Sequence, residues 1–242
     1  MQGILQSETG AGIVAGMAPA EPQQFFADDP WFSGLAPGFR TALVDGAIWQ
    51  TLMPGEALSH GGDTSGGILG LAEGIANVQP AVGPPDAGII HLFRAPIWFG
   101  LMPLSQGRPR AVSMVAQTQC RVARVPQSRV AAILAGNPAW WQHMYDLALT
   151  HFLVATQTAA DLHIADSRRR LCAVLLRVAN PGEKGGKPVV VASQQELATM
   201  SNMSRQTARQ VLGGLVDDGL ITLIYRGVTL NAPDRLRWIV EA

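Results

Sequence analysis

The stretch SRQTARQ, residues 204–210, puts Arg205 and Arg209 four apart and Gln206 and Gln210 four apart, the spacing of one face of an α-helix. These side chains suit one kind of chemistry. An arginine can make a bidentate contact to guanine and a glutamine to adenine. The Ser204 and Thr207 hydroxyls and the Arg209 guanidinium suit phosphate oxygens instead. A second constellation lies in FGLMPLSQGRPRAV, residues 99–112, where a glycine, a prolyl turn and Arg110 fall close together, as in a pocket for something phosphorylated. No Ser/His/Asp set, paired carboxylates or metal-ligand spacing stands out, and the five histidines are scattered among unlike segments. The chain is therefore expected to have no catalytic residues and no metal site, and not to be an enzyme. Cys120 and Cys172 match no C-x-x-C spacing, which argues against an iron–sulfur cluster or structural zinc and for two buried thiols.

The elements that must hold the Arg/Gln face are marked by helix caps. Ser193 and Glu196 form an S-x-x-E capping box that opens a short helix through Met200. A tight turn at Ser201, Asn202 and Met203 leads to a second capped start at Ser204, and the second helix is expected to bury Ala208, Val211, Leu212, Leu215 and Val216. Gly219 ends it, and Leu220 to Tyr225, a turn at Arg226 and Gly227, and Val228 to Leu230 predict a two-stranded wing. Helix, turn, helix with a polar face and then a hairpin is the winged helix-turn-helix arrangement.

Upstream the texture differs. From Trp49 to Pro126 short apolar pieces are broken by Gly and Pro, which predicts a small all-β sandwich or barrel, with a hairpin whose loop holds Pro84, Pro85, Asp86 and Gly88. From Pro138 a long run without Gly or Pro has apolar residues at helical period, a seam expected to bury Met144, Leu147, His151, Val154 and Thr158 against a second copy of the chain. Asp166 reads as the cap of a following helix, Ser167 to Ala179, ended by Asn180-Pro181-Gly182, with EKGGK as a loop beyond it.

A length of 242 residues suggests two domains, and 48% hydrophobic with 15% charged residues describes a globular chain. Residues 1–100 carry 2 basic and 9 acidic side chains, 101–165 carry 5 and 2, and 166–242 carry 11 and 7. The net charge of zero thus hides a basic C-terminal third, which points mildly to phosphate-bearing partners. The N-terminal 27 residues have no basic n-region and read as a flexible leader rather than a signal peptide. Arg94 interrupts the best apolar candidate for a membrane span, so a cytoplasmic protein without a membrane partner is expected.

Taken in order, these fragments resemble the Crp/Fnr family of transcription regulators from Asp29 onward. LMPGEALSHGGD (Leu52 to Asp63) resembles the family's Pro-Gly-Glu and glycine-aspartate turns, Phe99 to Pro126 its ligand-binding cassette, and SRQTARQVLGGLVDDGLI its recognition helix. The resemblance implies an α+β chain: a leader over 1–27, a cyclic nucleotide-binding-like β-roll over 28–137, a dimerisation helix over 138–165 and a winged helix-turn-helix over 166–242. It implies a homodimer on palindromic double-stranded DNA, with DNA contacts from Ser204, Arg205, Gln206, Thr207, Arg209 and Gln210. Activation would add RNA polymerase as a partner, whereas repression needs only occupancy.

Two departures qualify what the resemblance implies. Family recognition helices often place a glutamate after the first arginine and another arginine near the middle, but here Gln206 and Gln210 stand, with the arginine at Arg209. A different operator follows. In cyclic-nucleotide-binding members a glutamate follows the cassette's Phe-Gly and a serine or threonine follows its arginine. Here Leu101 and Ala111 replace them beside Gly100 and Arg110. A ribose hydroxyl facing Leu101 loses a charge-assisted hydrogen bond, at a cost on the order of 1.5–3 kcal/mol, so binding of cyclic AMP is disfavoured. The effector pocket is expected at Trp98, Phe99, Gly100, Leu101, Arg110 and Ala111. Ungapped counting back from Asp166 adds Thr156, which lies where the family's helix reaches its effector. The alternatives are a cyclic AMP or cyclic GMP sensor, an apolar pocket for a hydrophobic acid, a haem-binding gas or redox sensor using His60 or His91, and a dimer scaffold that binds nothing; for both histidines a surface position is the preferred reading.

Overall fold

The computed structural model describes residues 15–16, 21–64, 66–82, 88–104, 108–180 and 186–242. Most of the expected leader, Pro84, Pro85 and Asp86 of the hairpin loop, 105–107 of the cassette and 181–185 of the EKGGK region lie outside the described residues.

Strand β1 (Ala15–Gly16) precedes a 3₁₀ turn over Pro22–Phe26 and two helices, α1 (Pro30–Ser33) and α2 (Pro37–Asp45). Proline opens both helices, where its missing N–H costs nothing, and Asp29 caps α1 by accepting from the backbone N–H groups of Trp31 and Phe32. The strands follow as β2 (Ile48–Leu52), β3 (Ala57–Ser59), β4 (Gly67–Glu73), β5 (Ile75–Pro80), β6 (His91–Arg94), β7 (Ile97–Phe99), β8 (Val112–Ala116) and β9 (Cys120–Pro126). They form two antiparallel sheets of order β1-β2-β9-β4-β7 and β3-β8-β5-β6. β5 and β6 make the expected hairpin, with Ile75 opposite Arg94 and Val78 opposite His91.

Alternation along each strand sorts side chains between two cores. Leu58, Leu69, Leu71, Val78, Phe99, Met114 and Val122 fill the space between the sheets. Trp49, Ile68, Trp98, Ala123 and Val125 point the other way, onto Phe26, Phe32, Phe39 and Leu43. The leader reading is corrected here. Phe26 is fully buried, with its ring centroid 4.7 Å from that of Trp98, because the outer face of the sheet needs an aromatic cover that α1 and α2 alone do not supply.

Helix α3 (Gln127–Gly136) returns along the sheet, and α4 (Trp141–Leu162) runs 22 residues, roughly 33 Å at 1.5 Å per residue. The seam expected to meet a second copy turns inward instead. Met144 and Leu147 are buried among Trp49, Trp98 and Leu134. His151 donates through Nε2 to the Trp98 carbonyl at 2.7 Å, and Val154 and Thr158 face a cavity under the helix. What α4 leaves bare is a neighbouring stripe, Tyr145, Leu149, Phe152 and Leu153. No described helix is long and apolar enough to cross a membrane.

The C-terminal region has its own core of Leu171, Val174, Leu175, Leu197, Leu212, Leu215 and Leu230, joined by Ile75 and Leu92 from the β5–β6 hairpin. α5 (Ser167–Val178) begins at Asp166, whose side chain accepts from the Arg169 N–H. Its last helical residue is Val178, and Asn180 then bridges to Val189. β10 (Val189–Val190) leads to α6 (Gln194–Met200), α7 (Arg205–Asp217), β11 (Ile221–Ile224), β12 (Gly227–Leu230) and α8 (Pro233–Glu241). Three details differ from expectation. β10 pairs with β12, so the wing sheet has three strands; its turn is Tyr225-Arg226, one residue early; and Val216 is exposed. Arg226, the second residue of that turn, takes a positive φ of 51°, the sign that the second central position of a type II turn requires.

Candidate DNA-binding face and effector cavity

α6 and α7 are started by side-chain caps that orient them. Ser193 and Glu196 make the full reciprocal capping box, and the Ser204 hydroxyl accepts from the Thr207 N–H at 3.0 Å while lying 2.8 Å from the Thr207 hydroxyl. With Ala208, Leu212 and Leu215 fully buried, helical period forces the other face outward. Ser204, Arg205, Gln206, Arg209 and Gln210 are all exposed and Thr207 is half-buried, so the six candidate residues share one accessible surface. Beside it runs a groove lined by Gln194, Gln195, Arg205, Tyr225 and Arg226, between the start of α6 and the wing turn. Sequence reasoning did not single out Gln194, Gln195 or Arg226 for this surface. The capping box that exposes the first turn of α6 was the available signal.

The second site is a cavity of about 650 Å³ between the β-roll and α4. Phe93, Phe99, Leu101, Met102 and Met114 line it from below, and Phe152, Ala155, Thr158, Ala159 and Leu162 from above. Of the expected pocket residues, Phe99, Gly100, Leu101, Arg110 and Ala111 come together there. Trp98 does not. One step from Phe99 along β7, it points through the sheet and stacks on Phe32 at 5.8 Å. Thr156 is also outside, exposed and bonded back to the Phe152 carbonyl, because it lies about 100° round the helix from Ala155.

Arg110 is the charged group of the cavity. Its guanidinium is buried and donates to the Gly67 carbonyl at 2.9 Å and, more weakly, to the Gly100 carbonyl at 3.5 Å. Burial pulls its pKa below the ordinary arginine value, with Arg124 pushing the same way and Asp63 opposing. Gly100 has a positive φ of 99°, and a Cβ there would stand 2.9 Å from Nη1 of Arg110, so glycine is needed both for the turn and for the guanidinium.

His60 is exposed, as preferred, but His91 is not a surface residue: it is buried at the cavity wall. The period of β6 turns it inward. Its Nδ1 lies 2.7 Å from Nη1 of Arg177 on α5. A guanidinium only donates, so Nδ1 accepts and the ring proton sits on Nε2. Burial, then the charge of Arg177, then His151 push the His91 pKa down to about 3, and burial lowers that of His151. Arg177 in turn ion-pairs with Asp161, at the end of α4, at 2.7 Å with both side chains buried. Cavity wall, α4 and the first helix of the C-terminal region therefore meet at one buried polar junction. A second contact nearby joins Gln117 to Glu196, the capping residue of α6, at 2.8 Å. None of Asp161, Arg177 and His91 was marked by sequence as a junction, since they are 16 and 86 residues apart.

The thiols of Cys120 and Cys172 are both buried, and burial raises their pKa values to about 11, which keeps them protonated and unreactive. Among the described residues no group of three or more His, Cys, Asp or Glu could hold a metal ion.

Two family models match the chain. Residues 49–137 match the cyclic nucleotide-binding domain and residues 169–239 the Crp-like helix-turn-helix domain. Among curated proteins none matches the chain in sequence. Among solved structures, the c-di-GMP responsive global regulator CLP of Xanthomonas campestris superposes with a TM-score of 0.64 at 21% identity, over 81% of this chain and 99% of that one. A transcriptional regulator of the Crp/Fnr family from Eubacterium rectale gives 0.66 at 15% identity, over 90% and 100%. A further Crp/Fnr-family transcriptional regulator, from Thermus thermophilus, gives 0.58 at 22% identity, over 80% and 98%. At these identities the likeness is one of fold.

Proposed function

We propose, from the premise that this chain is a member of the Crp/Fnr family of transcription regulators, that it binds a palindromic operator as a homodimer and is controlled by a small molecule other than a cyclic nucleotide. The observation that carries the DNA reading is the exposed face of α7, with Arg205, Gln206, Arg209 and Gln210 displayed beside a wing. Arg205 and the glutamines read base edges, while Ser204, Thr207 and Arg209 hold phosphates. Such a protein works in the cytoplasm as a regulator rather than a catalyst, with RNA polymerase as a further partner if it activates.

The dimer reading is supported by the bare stripe Tyr145, Leu149, Phe152 and Leu153 on α4, whose spacing suits a helix of a second copy. The effector reading is supported by the cavity. Leu101 and Ala111 offer a ribose and a cyclic phosphate no acceptor or hydroxyl, and the walls are mainly apolar. The Xanthomonas regulator responds to c-di-GMP, a dianion, which matches poorly a cavity with Arg110 as its charged lining residue. The haem reading loses the two imidazoles that it named, since His60 is exposed and the His91 lone pair is taken by Arg177.

A ligand packed against His91 and α4 would bias the His91–Arg177–Asp161 junction, and with it the orientation of α5 and the helices that it carries. The test is fluorescence anisotropy of the protein on its own upstream DNA at fixed salt, with and without cyclic AMP and cyclic GMP. The expected result is specific, salt-sensitive binding unchanged by either nucleotide. No preference over random DNA would overturn the DNA reading, and tightening by either nucleotide would overturn the effector reading.

A further inference from the structure

We propose that the cavity under α4 takes an amphipathic monoanion, a carboxylic or similar acid on an aliphatic or aromatic body, with its charged head on Arg110 and its body along Phe93, Phe99 and Met114. This rests on reading the cavity as the effector site.

The argument is one of charge and surface. The cavity of about 650 Å³ falls within the range of small-molecule sites, roughly 300–1,000 Å³. No aspartate or glutamate is among its described lining residues. Arg110, a cation at any working pH, is buried there with backbone carbonyls as its hydrogen-bond partners and, among the described residues, no ion pair. A buried charge without a counter-charge is costly, and an anion in the cavity removes that cost. The other charged groups nearby, Arg124 and Asp63, are of opposite sign to each other and lie outside the lining.

The two lining imidazoles do not change the count. His91 and His151 are held neutral by burial, and each has one ring nitrogen engaged, with Arg177 and with the Trp98 carbonyl respectively. The lining thus carries one uncompensated positive charge in a mainly apolar shell. A sugar phosphate leaves its hydroxyls unpaired against Leu101, Met102 and Met114, and a neutral hydrocarbon leaves Arg110 unpaired. A single acid on an apolar body satisfies both.

The experiment uses the full-length protein and 8-anilinonaphthalene-1-sulfonate, itself an apolar monoanion, as a fluorescent probe. Displacement by decanoate is compared with displacement by 1-decanol, which has the same chain without the charge. Ala155→Trp, which fills the cavity from α4, identifies the probe bound there. The expected result is probe fluorescence lost in Ala155→Trp, and decanoate at least about tenfold more effective than decanol. Arg110→Gln should abolish that preference and Arg110→Lys should keep most of it. The wild-type comparison stands by itself if either Arg110 variant fails to fold. Equal displacement by acid and alcohol overturns the ligand class but leaves an effector cavity. Probe binding indifferent to Ala155→Trp overturns both, and the operator-binding measurement is independent of either result.

Discussion

The exposed face of α7 and the cavity under α4 are built on opposite plans. The six residues of the face lie within seven positions of one helix, oriented by one cap and one buried stripe. The cavity draws on five strands, a turn and a helix, from Ser59 to Leu162, and its charged residue is held by carbonyls 10 and 43 positions away. The first is a local object whose residues act in water. The second is non-local, and its polar groups act where water is scarce and each unpaired group is expensive.

That difference predicts how each will fail. The largest effect belongs to the junction behind the cavity. Asp161→Ala leaves Arg177 buried without its carboxylate and should cost about 3–5 kcal/mol of stability in chemical denaturation. By contrast Asp218→Ala, which removes the exposed partner of Arg168, should cost no more than about 1 kcal/mol. If the two cost the same, the junction is not the buried element that the geometry describes.

Acid should find the same weakness. His91 is neutral when folded down to about pH 3, whereas an unfolded histidine protonates near 6.5. Between those values the unfolded state binds the extra proton. Stability is therefore full above pH 6.5 and falls as pH drops toward 3, by up to roughly 1.4 kcal/mol per unit. The lowered pKa of His151 acts in the same direction. His91→Asn, which keeps an acceptor for Arg177, should flatten the slope by about one proton in denaturation curves taken from pH 7 to 4.5. An unchanged slope would remove His91 from the account.

On the α7 face the expected effects are smaller, and at Arg205 they fall on binding rather than folding. Arg205→Ala should leave stability within about 0.5 kcal/mol and cost about 1–3 kcal/mol of discrimination between operator and random DNA. A loss equal on both sequences would make Arg205 a phosphate contact. The smallest expected effect is at the cap. Ser204→Ala should lower stability by about 1 kcal/mol, read by thermal melting, because the Thr207 N–H loses its acceptor.

Where the sequence was readable, the signal was periodic and short-range. The capping box at Ser193 and Glu196, the cap at Ser204 and the apolar spacing of Ala208, Leu212 and Leu215 are decided within a few residues, and α6 and α7 follow them. Even there, burial at the edge was not decided locally: Val216 fits the apolar period yet is exposed, because in the last turn of α7 the core covers the side that carries Leu215 and not the side that carries Val216. In the β-roll the pieces were recognisable, but which side of a strand faced the ligand was not. Trp98 looked like cavity wall and is the centre of the opposite core, one pleat away from Phe99.

α4 shows the same limit most plainly. Its apolar residues at helical period announced a long helix with faces to bury, but not which face meets which neighbour. Met144 and Leu147 went to the β-roll, Val154 and Thr158 to the cavity, and Tyr145, Leu149, Phe152 and Leu153 were left bare. By itself the sequence determined the long helix α4, the run from α5 through the wing, and the residue types of the α7 face, because caps, turns and periodicity act over one or two helical turns. Tertiary structure alone decided that Phe26 closes a core, that Arg110 is a buried cation held by backbone carbonyls, and that His91, Arg177 and Asp161 meet. Each of those depends on groups far apart in the chain, and burial, which sets their cost, exists only once the chain has folded.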